Sequence, residues 1–575
     1  MLSLREKDKP IIKKLMDAGC CGRCILRFCS IGTQSAYRLS TEALQKELSS
    51  FIISNKEDTP TPPPPPPLQS ETNSHTPSDD DPPPKKIKLD PDNGSENGGQ
   101  QERVPMVALE AATADKNGTE DGDNKSGILE SNRVTLESTA DGTEGTMGVG
   151  GGGVCVACLG VLQDFCSPEF AKKISETVKS EEYVFEDLVL SVSLPAQLSV
   201  REHSCWLHVK KEVREKAMVL DKEDVIHVNK AFKWAIQGTL SQELKKPVVT
   251  RSPFEVAVGF LHPDTDADCH FLAEACSDCF KPTKNKESVF TRMAVVKAVE
   301  QISDKKFLKE YPSPPTRPKE ACVPQDTTCL HVSAFVAGRY NKFCRTLPQT
   351  PWVIDGERRM ESSVEELIAA PLLNAFRSES FNFSSSGRED VDVRTLGNGR
   401  PFAMELLNPH RARFNRMEIR RIQEEINKST DKIRVRDLQM VTRDAMSRMK
   451  EGEEEKTKCY SALIWSRKAI TEEDIKFIAN MKDLEIAQKT PLRVLHRRPL
   501  AVRQRVIHSM DTSYRDAHHF TLMLKTQAGT YIKEFVHGDF GRTKPNLGEL
   551  MKAEVDILEL DVESVDVDWP PAIPE

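Results

Sequence analysis

Ser386-Gly387-Arg388-Glu389-Asp390-Val391-Asp392-Val393-Arg394-Thr395-Leu396-Gly397-Asn398-Gly399-Arg400-Pro401-Phe402 is the most informative stretch of this 575-residue chain. Its period-two alternation predicts a strand with Asp390, Asp392 and Arg394 on one face and Val391 and Val393 on the other, and Gly387-Arg388 marks a loop entering it. A carboxylate at a loop–strand junction is well placed for chemistry. The plainer alternative is a half-buried edge strand whose acids only face water.

Three further segments share this mixture of order and charge. In Phe520–Gly541, FTLMLKTQAGTYIKEFVHGDFG, the spacing predicts a strand through Phe520, Leu522 and Leu524 and a turn at Gly529. A short helix then runs from an N-cap at Thr530 to a stop at Gly538. Lys533 falls at the third helical position, where a cation opposes the macrodipole and so calls for an outside carboxylate partner; a surface lysine is the bland alternative. Lys456–Trp465, KTKCYSALIW, alternates as a strand with Tyr460 beside Lys456 and Lys458, so the ring could stack on a base while the ammonium groups hold phosphates. His496–Arg505, HRRPLAVRQR, carries Arg497, Arg498, Arg503 and Arg505, a basic run that suits a phosphate backbone although such runs are often only solvated faces.

The surrounding chain sets the context. It is 38% hydrophobic and 29% charged with a net charge of −8, composition suited to several folded units. No run approaches the roughly 18 apolar residues of a membrane span, and the start, MLSLREKDKPIIKK, is charged where a signal peptide is apolar, so neither membrane insertion nor secretion is expected. Residues 55–153 (PTPPPPPP, DDDPPP, then Ser, Asn, Gly and acids, ending in GVGGGG) are too polar to bury a core and predict a disordered insertion. Within it, Pro84-Lys85-Lys86-Ile87-Lys88-Leu89-Asp90 resembles a nuclear localisation signal, implying an import receptor and both nuclear and cytoplasmic pools. Helical spacing over Asp8–Leu26 places a helix in the segment 1–54. Apolar alternation at Val184–Val192 and a helix over Asp221–Ile236 predict an α/β domain within 154–310. The prolines of YPSPPTRPKEACVP mark a linker at 311–329, and 330–575 reads as one large α+β unit with helix-like Met417–Ile426 between its strands.

Fifteen cysteines in a chain without secretory features point to metal rather than disulfides. Two matched C-x-x-C pairs, Cys21/Cys24 and Cys155/Cys158, bracket the insertion and supply the four thiolates of a closed structural zinc site, with Cys20 a possible register shift. A third pair, Cys276/Cys279 near Cys269 and His270, lies in helical apolar spacing and reads as packing.

Taken together the segments resemble the motifs of pseudouridine synthases. G-R-E-D at Gly387–Asp390 resembles the superfamily's G-R-x-D loop, K-x-Y-x-A at Lys458–Ala462 the motif of its base-stacking tyrosine, and G-T-Y-I-K at Gly529–Lys533 the G-T-Y-I-R of the TruB branch. With the paired C-x-x-C region and AGRYNKFCRTLPQTPW at Ala337–Trp352, the chain is similar to the archaeal and eukaryotic tRNA pseudouridine synthases of the "Pus ten" family, in its vertebrate-like form. The resemblance implies a mixed, mainly antiparallel catalytic sheet with flanking helices, preceded by a zinc-containing, THUMP-type RNA-binding α/β module. It implies Asp390 as nucleophile or base, Tyr460 stacking on a flipped uracil, Lys533 paired with Asp390, and no catalytic cofactor. Arg388, Lys458, Arg497, Arg498 and Arg503 would hold RNA, and the substrate would be the uridine pair of the tRNA T loop. Lys533 departs from the TruB arginine, replacing a fork with a point charge. A competing reading is a nuclear, zinc-stabilised adaptor for other structured RNA precursors, such as microRNA precursors; an acid in the cleft argues against binding alone. A zinc-dependent transcription regulator is disfavoured because no recognition-helix pattern follows the cysteine pairs.

Overall fold

A computed structural model describes residues 2–53, 153–215, 221–281, 289–450 and 456–574. Residues 54–152, which include all of the insertion expected over 55–153 except Gly153 and carry the basic cluster Pro84–Asp90, lie outside the described residues. Among the described residues no helix is long and apolar enough to cross a membrane.

The single helix expected over Asp8–Leu26 is two, Lys9–Asp17 and Gly22–Phe28. Gly19 breaks it at φ +89°, a conformation side chains avoid, and a Cβ there would lie 2.1 Å from Arg317 Nη2. The break lets Cys21 become the N-cap residue of the second helix, so that Cys21 and Cys24 both turn toward the second cysteine pair. Ile11, Ile12 and Leu15 of the first helix enter a core shared with the first sheet.

That sheet has five strands. Leu188–Ser193 lies parallel to Val248–Val249 and to Phe254–Leu261, and helices Pro168–Ser180, Gln197–Glu215 and Val228–Leu244 belong to the same unit. The last of these begins seven residues after the expected Asp221, because Lys222–Asp224 forms its own tight turn. The proline-rich stretch is not a free tether. Val323–Pro324 and Thr328–His331 both pair antiparallel with Phe254–Leu261, so residues expected to link the domains complete the first sheet.

The second sheet has ten strands and is antiparallel except at one junction. Ala334–Lys342 pairs antiparallel with Arg394–Leu407, which meets Val555–Val565 in parallel at Arg394↔Asp561; Val555–Val565 then pairs antiparallel with Thr457–Ser466. Next come His519–Gln527, Val502–Asp516 and Lys482–Lys489, each antiparallel to its neighbour. Helix Arg416–Ser429 buries Ile419, Ile422 and Ile426 as its spacing predicts, and a capping box between Asn415 and Glu418 starts it. The expected strand at Val391–Arg394 is a correction: the strand begins only at Arg394, and Asp390–Val393 is a turn closed by the Val393 N–H donating to the Asp390 carbonyl at 3.1 Å. The Asp390 and Val391 carbonyls that a ladder would need are taken by Lys342.

Candidate active site

The loop that carries Asp390 is held residue by residue. Ser386 O accepts from Arg400 Nη1 at 2.7 Å, and Gly387, at φ +88°, has its carbonyl taken by Gln349 Nε2 at 3.1 Å and by the Ser385 hydroxyl at 2.8 Å. Glu389 is buried, accepts from the Tyr340 hydroxyl at 2.9 Å, and forms an ion pair with Arg400, whose Nε lies 2.7 Å away but off the hydrogen-bond axis. Lys342, fully buried, donates to the carbonyls of Leu347 at 2.8 Å, Asp390 at 3.1 Å and Val391 at 2.8 Å. An ammonium has three donors, and all three are used.

The Asp390 carboxylate, 33% exposed, points into a cleft of about 730 Å³ and meets two cations. Arg493 Nη1 lies 3.0 Å from Oδ1 and 2.9 Å from Oδ2; Lys533 Nζ lies 3.4 Å from Oδ2. Lys533 is nearer to Asp392, donating to its two oxygens at 2.9 and 2.7 Å. The cation read from sequence thus serves two acids, and the closer partner of Asp390 is Arg493. Burial, the largest influence, would raise the Asp392 carboxyl, but the Lys533 hydrogen bond and charge, a backbone hydrogen bond and the Lys342 charge together outweigh it and hold the group below its usual range. Burial likewise works against the Arg493 charge, yet Glu534, at 2.7 Å from Nε, and Asp390 raise its pKa.

The helix bearing Lys533 is Ile532–His537, with Tyr531 and not Thr530 at the N-cap. The Thr530 hydroxyl is spent inside the turn, donating to Gln527 O at 2.7 Å, while Gln488 Oε1 accepts from the Tyr531 N–H at 2.9 Å. Lys533 is therefore at the second helical position, one earlier than expected. Gly538, at φ +78°, ends the helix as predicted.

Tyr460 sits on Thr457–Ser466 between Leu524 and Val562 of the neighbouring strands and lines the same cleft, and burial raises its hydroxyl pKa. Arg388, Arg498 and Arg503 also line it, and Lys458 does so from a buried position in the sheet. The Arg497 side chain lies outside the described residues. Sequence reading passed over Lys342, Arg400, Glu534 and Arg493, and gave Arg505 no role of its own although it lines the cleft. Glu534, next to Lys533, proves only 2% exposed in the fold, and that buried acid is what calls for the Arg493 cation.

Away from the cleft, the Sγ atoms of Cys21, Cys24, Cys155 and Cys158 lie within 4.8 Å of one another. The Cys21 and Cys158 sulfurs are 3.8 Å apart, the edge of a tetrahedron with metal–sulfur bonds of about 2.3 Å. The Cys21 N–H donates to Cys155 Sγ at 3.2 Å, and the Leu162 N–H to Cys158 Sγ at 3.4 Å, contacts that steady thiolates. The four residues thus fit a tetrahedral metal ion. Cys20 and the Cys276/Cys279 pair are not in the group.

Two family descriptions match the chain: "Eukaryotic Pus10, N-terminal" over residues 155–329 and "Pus10, C-terminal" over 335–566. The chain is similar to the human protein named tRNA pseudouridine synthase Pus10, at 52% identity over 578 residues covering 100% of each. It is 53% identical to the mouse protein of the same name over 576 residues, again covering 100% of each. A solved structure described as "Crystal Structure of a Cbf5-Nop10-Gar1 Complex" is 15% identical, covering 40% of this chain and 48% of that one with a TM-score of 0.23; a likeness of that size carries no argument.

Proposed function

The chain belongs to the Pus10 family, and we propose that it isomerises uridine to pseudouridine in the T loop of tRNA, with Asp390 as the reacting carboxylate. The observation that carries this reading is the meeting of Asp390, Tyr460 and Lys533 in one cleft, with the carboxylate fixed between Lys533 and Arg493. In the reaction the C1′–N1 bond of the uridine breaks, the uracil turns, and a C1′–C5 bond forms; C5 gives up its proton and N1 gains one. A base inside a folded loop must first be flipped out. The flipped ring would stack on Tyr460, and Asp390 would attack C1′ or take the ribose proton that starts cleavage. Lys533 and Arg493 hold the carboxylate in place, and the loop clamps leave it little freedom to turn away. Arg388, Arg498, Arg503 and Arg505 would hold phosphates around the entrance. No step needs an electron carrier or a metal.

The four cysteines would hold zinc in a closed structural site with no position left for water, stabilising an amino-terminal RNA-binding module of THUMP type. Nuclear import through Pro84–Asp90 rests on sequence alone. Binding of further RNA precursors would use the same cleft, but a carboxylate held between two cations among arginines that would bind phosphate favours chemistry over binding alone.

The test is Asp390→Asn with pseudouridine mapped chemically in tRNA. Fold and tRNA affinity should persist while product becomes undetectable, since an amide can neither attack nor take a proton. Asp392→Asn should leave a reduced but measurable rate, because Lys533 then keeps only Asp390. Normal turnover by Asp390→Asn would overturn the assignment.

A further inference from the structure

The turn that follows the Lys533 helix holds a phenyl ring in water. Asp539 and Phe540 adopt φ +47° and +54°, the left-handed region that residues other than glycine enter only under constraint. The constraint is visible around Asp539, which is buried. Its N–H donates to His537 Nδ1 at 3.1 Å; its Oδ2 accepts from the Leu492 N–H at 3.3 Å and lies 3.4 Å from Arg542 Nε. Arg542 in turn donates to Thr490 O at 2.6 Å. These contacts fix the turn, yet Phe540 at its tip is 95% exposed. Among the described residues the ring is left uncovered, and a strained turn that persists is held by its surroundings for some other end.

Its place in the molecule narrows what that end is. Leu492, which receives the Asp539 latch, directly precedes Arg493, the closer partner of Asp390. The turn that carries the ring is therefore joined to Asp390 by two hydrogen bonds in series, Asp539 to Leu492 and Arg493 to Asp390. The adjoining segment exposes Leu495 and Leu500 among its arginines, and Lys544 follows on the far side of the turn. An exposed aromatic beside cations is the composition that binds single-stranded nucleic acid: the ring takes a base face, the cations take phosphates.

We propose that Phe540 is a stacking platform for an unpaired base of the RNA substrate, outside the uridine pocket, that holds the loop while its uridine is flipped. The proposal rests on the reading of the cleft as an RNA-modifying site. A second copy of this chain would also cover a phenyl ring, so the experiment separates the two.

Phe540→Ala and Phe540→Trp are made in the full chain, and binding of a transcribed tRNA is measured alongside single-turnover pseudouridine formation at saturating tRNA. Phe540→Ala should weaken tRNA binding about tenfold, the loss expected for one base stack, while the saturated rate and thermal midpoint stay near those of the unmodified chain. Phe540→Trp should restore affinity, and its added fluorescence should be quenched by tRNA. Unchanged affinity in Phe540→Ala, or no quenching in Phe540→Trp, would overturn the proposal. A dimer of the unmodified chain that dissociates on Phe540→Ala without loss of tRNA affinity would assign the ring to self-association instead. The binding arm is independent of turnover, so failure of catalysis in the unmodified chain would count against the enzyme reading and leave the stacking measurement intact.

Discussion

Lys342 is a buried cation whose three donors all end on backbone carbonyls, two of them those of Asp390 and Val391. Burial pushes its ammonium down to about 8, with Glu389, Cys344 and Asp392 opposing the shift and Arg400 adding to it. A neutral amine has two donors, so one carbonyl of the loop is released when the proton leaves. The rate of pseudouridine formation should therefore fall as pH rises through about 8. Stability should move the other way: the unfolded lysine titrates near 10.4, so between the two values the unfolded chain carries a proton that the native chain lacks, and deprotonation favours the fold by up to about 1.4 kcal/mol per pH unit. Single-turnover rates and urea unfolding followed over the same pH series, with Lys342→Met for comparison, check both signs. An alkaline limb that survives in Lys342→Met would assign it to another group. At this scale Asp390, Tyr460 and Lys533 were legible because each sits in a short local pattern, whereas Arg493 and Lys342 act across 103 and 48 residues of chain, distances at which spacing carries no signal.

Elements were legible where one face decides them. Ile419, Ile422 and Ile426 define a helix face, and Phe520, Leu522 and Leu524 a strand face, and both are buried as expected. Alternation failed at Asp390–Val393 because it records which side chains could share a face, not whether the carbonyls are free to pair. The same strand has a second irregularity where its register against Ala334–Lys342 shifts between Thr395 and Arg400. Gly397 lies there at φ +50°, and a Cβ would sit 1.9 Å from the Glu563 carbonyl oxygen. Backbone cannot yield as a flexible side chain can, so Gly397→Ala should lower stability by about 2 kcal/mol or more. A shift of the urea midpoint checks this. The loop ahead of the strand is braced independently, so the saturated rate of molecules that remain folded should fall far less than their stability. A variant as stable as the unmodified chain would show that the strand tolerates a different register.

At the scale of the whole molecule, two cysteine pairs tie the beginning of the chain to its middle, with Cys21 and Cys155 separated by 134 residues. The matched C-x-x-C spacing made that union legible; the strands Val323–Pro324 and Thr328–His331, which carry the first sheet through the proline-rich stretch toward the second, were hidden behind prolines that sit at strand edges. A metal bound by all four would clip so long a loop that it would restrict the unfolded chain by on the order of 4 to 5 kcal/mol in the loop-entropy view. Helices Lys9–Asp17 and Gly22–Phe28 bury Ile11, Ile12, Leu15 and Leu26 in the core that the clip would join to the middle of the chain. The cleft lies on the other sheet, and none of its lining residues comes from the cysteine-bearing segments. Replacing Cys21 and Cys155 by Ser should thus remove about one zinc per chain and lower the midpoint of the first thermal transition. The saturated pseudouridine rate at low temperature should change little, and tRNA affinity should weaken if the amino-terminal module contributes to binding. Elemental analysis with a two-transition melt reads these outcomes together. Full zinc content in the double variant would place the metal elsewhere, and loss of zinc with no change in the melt would deny it a structural role.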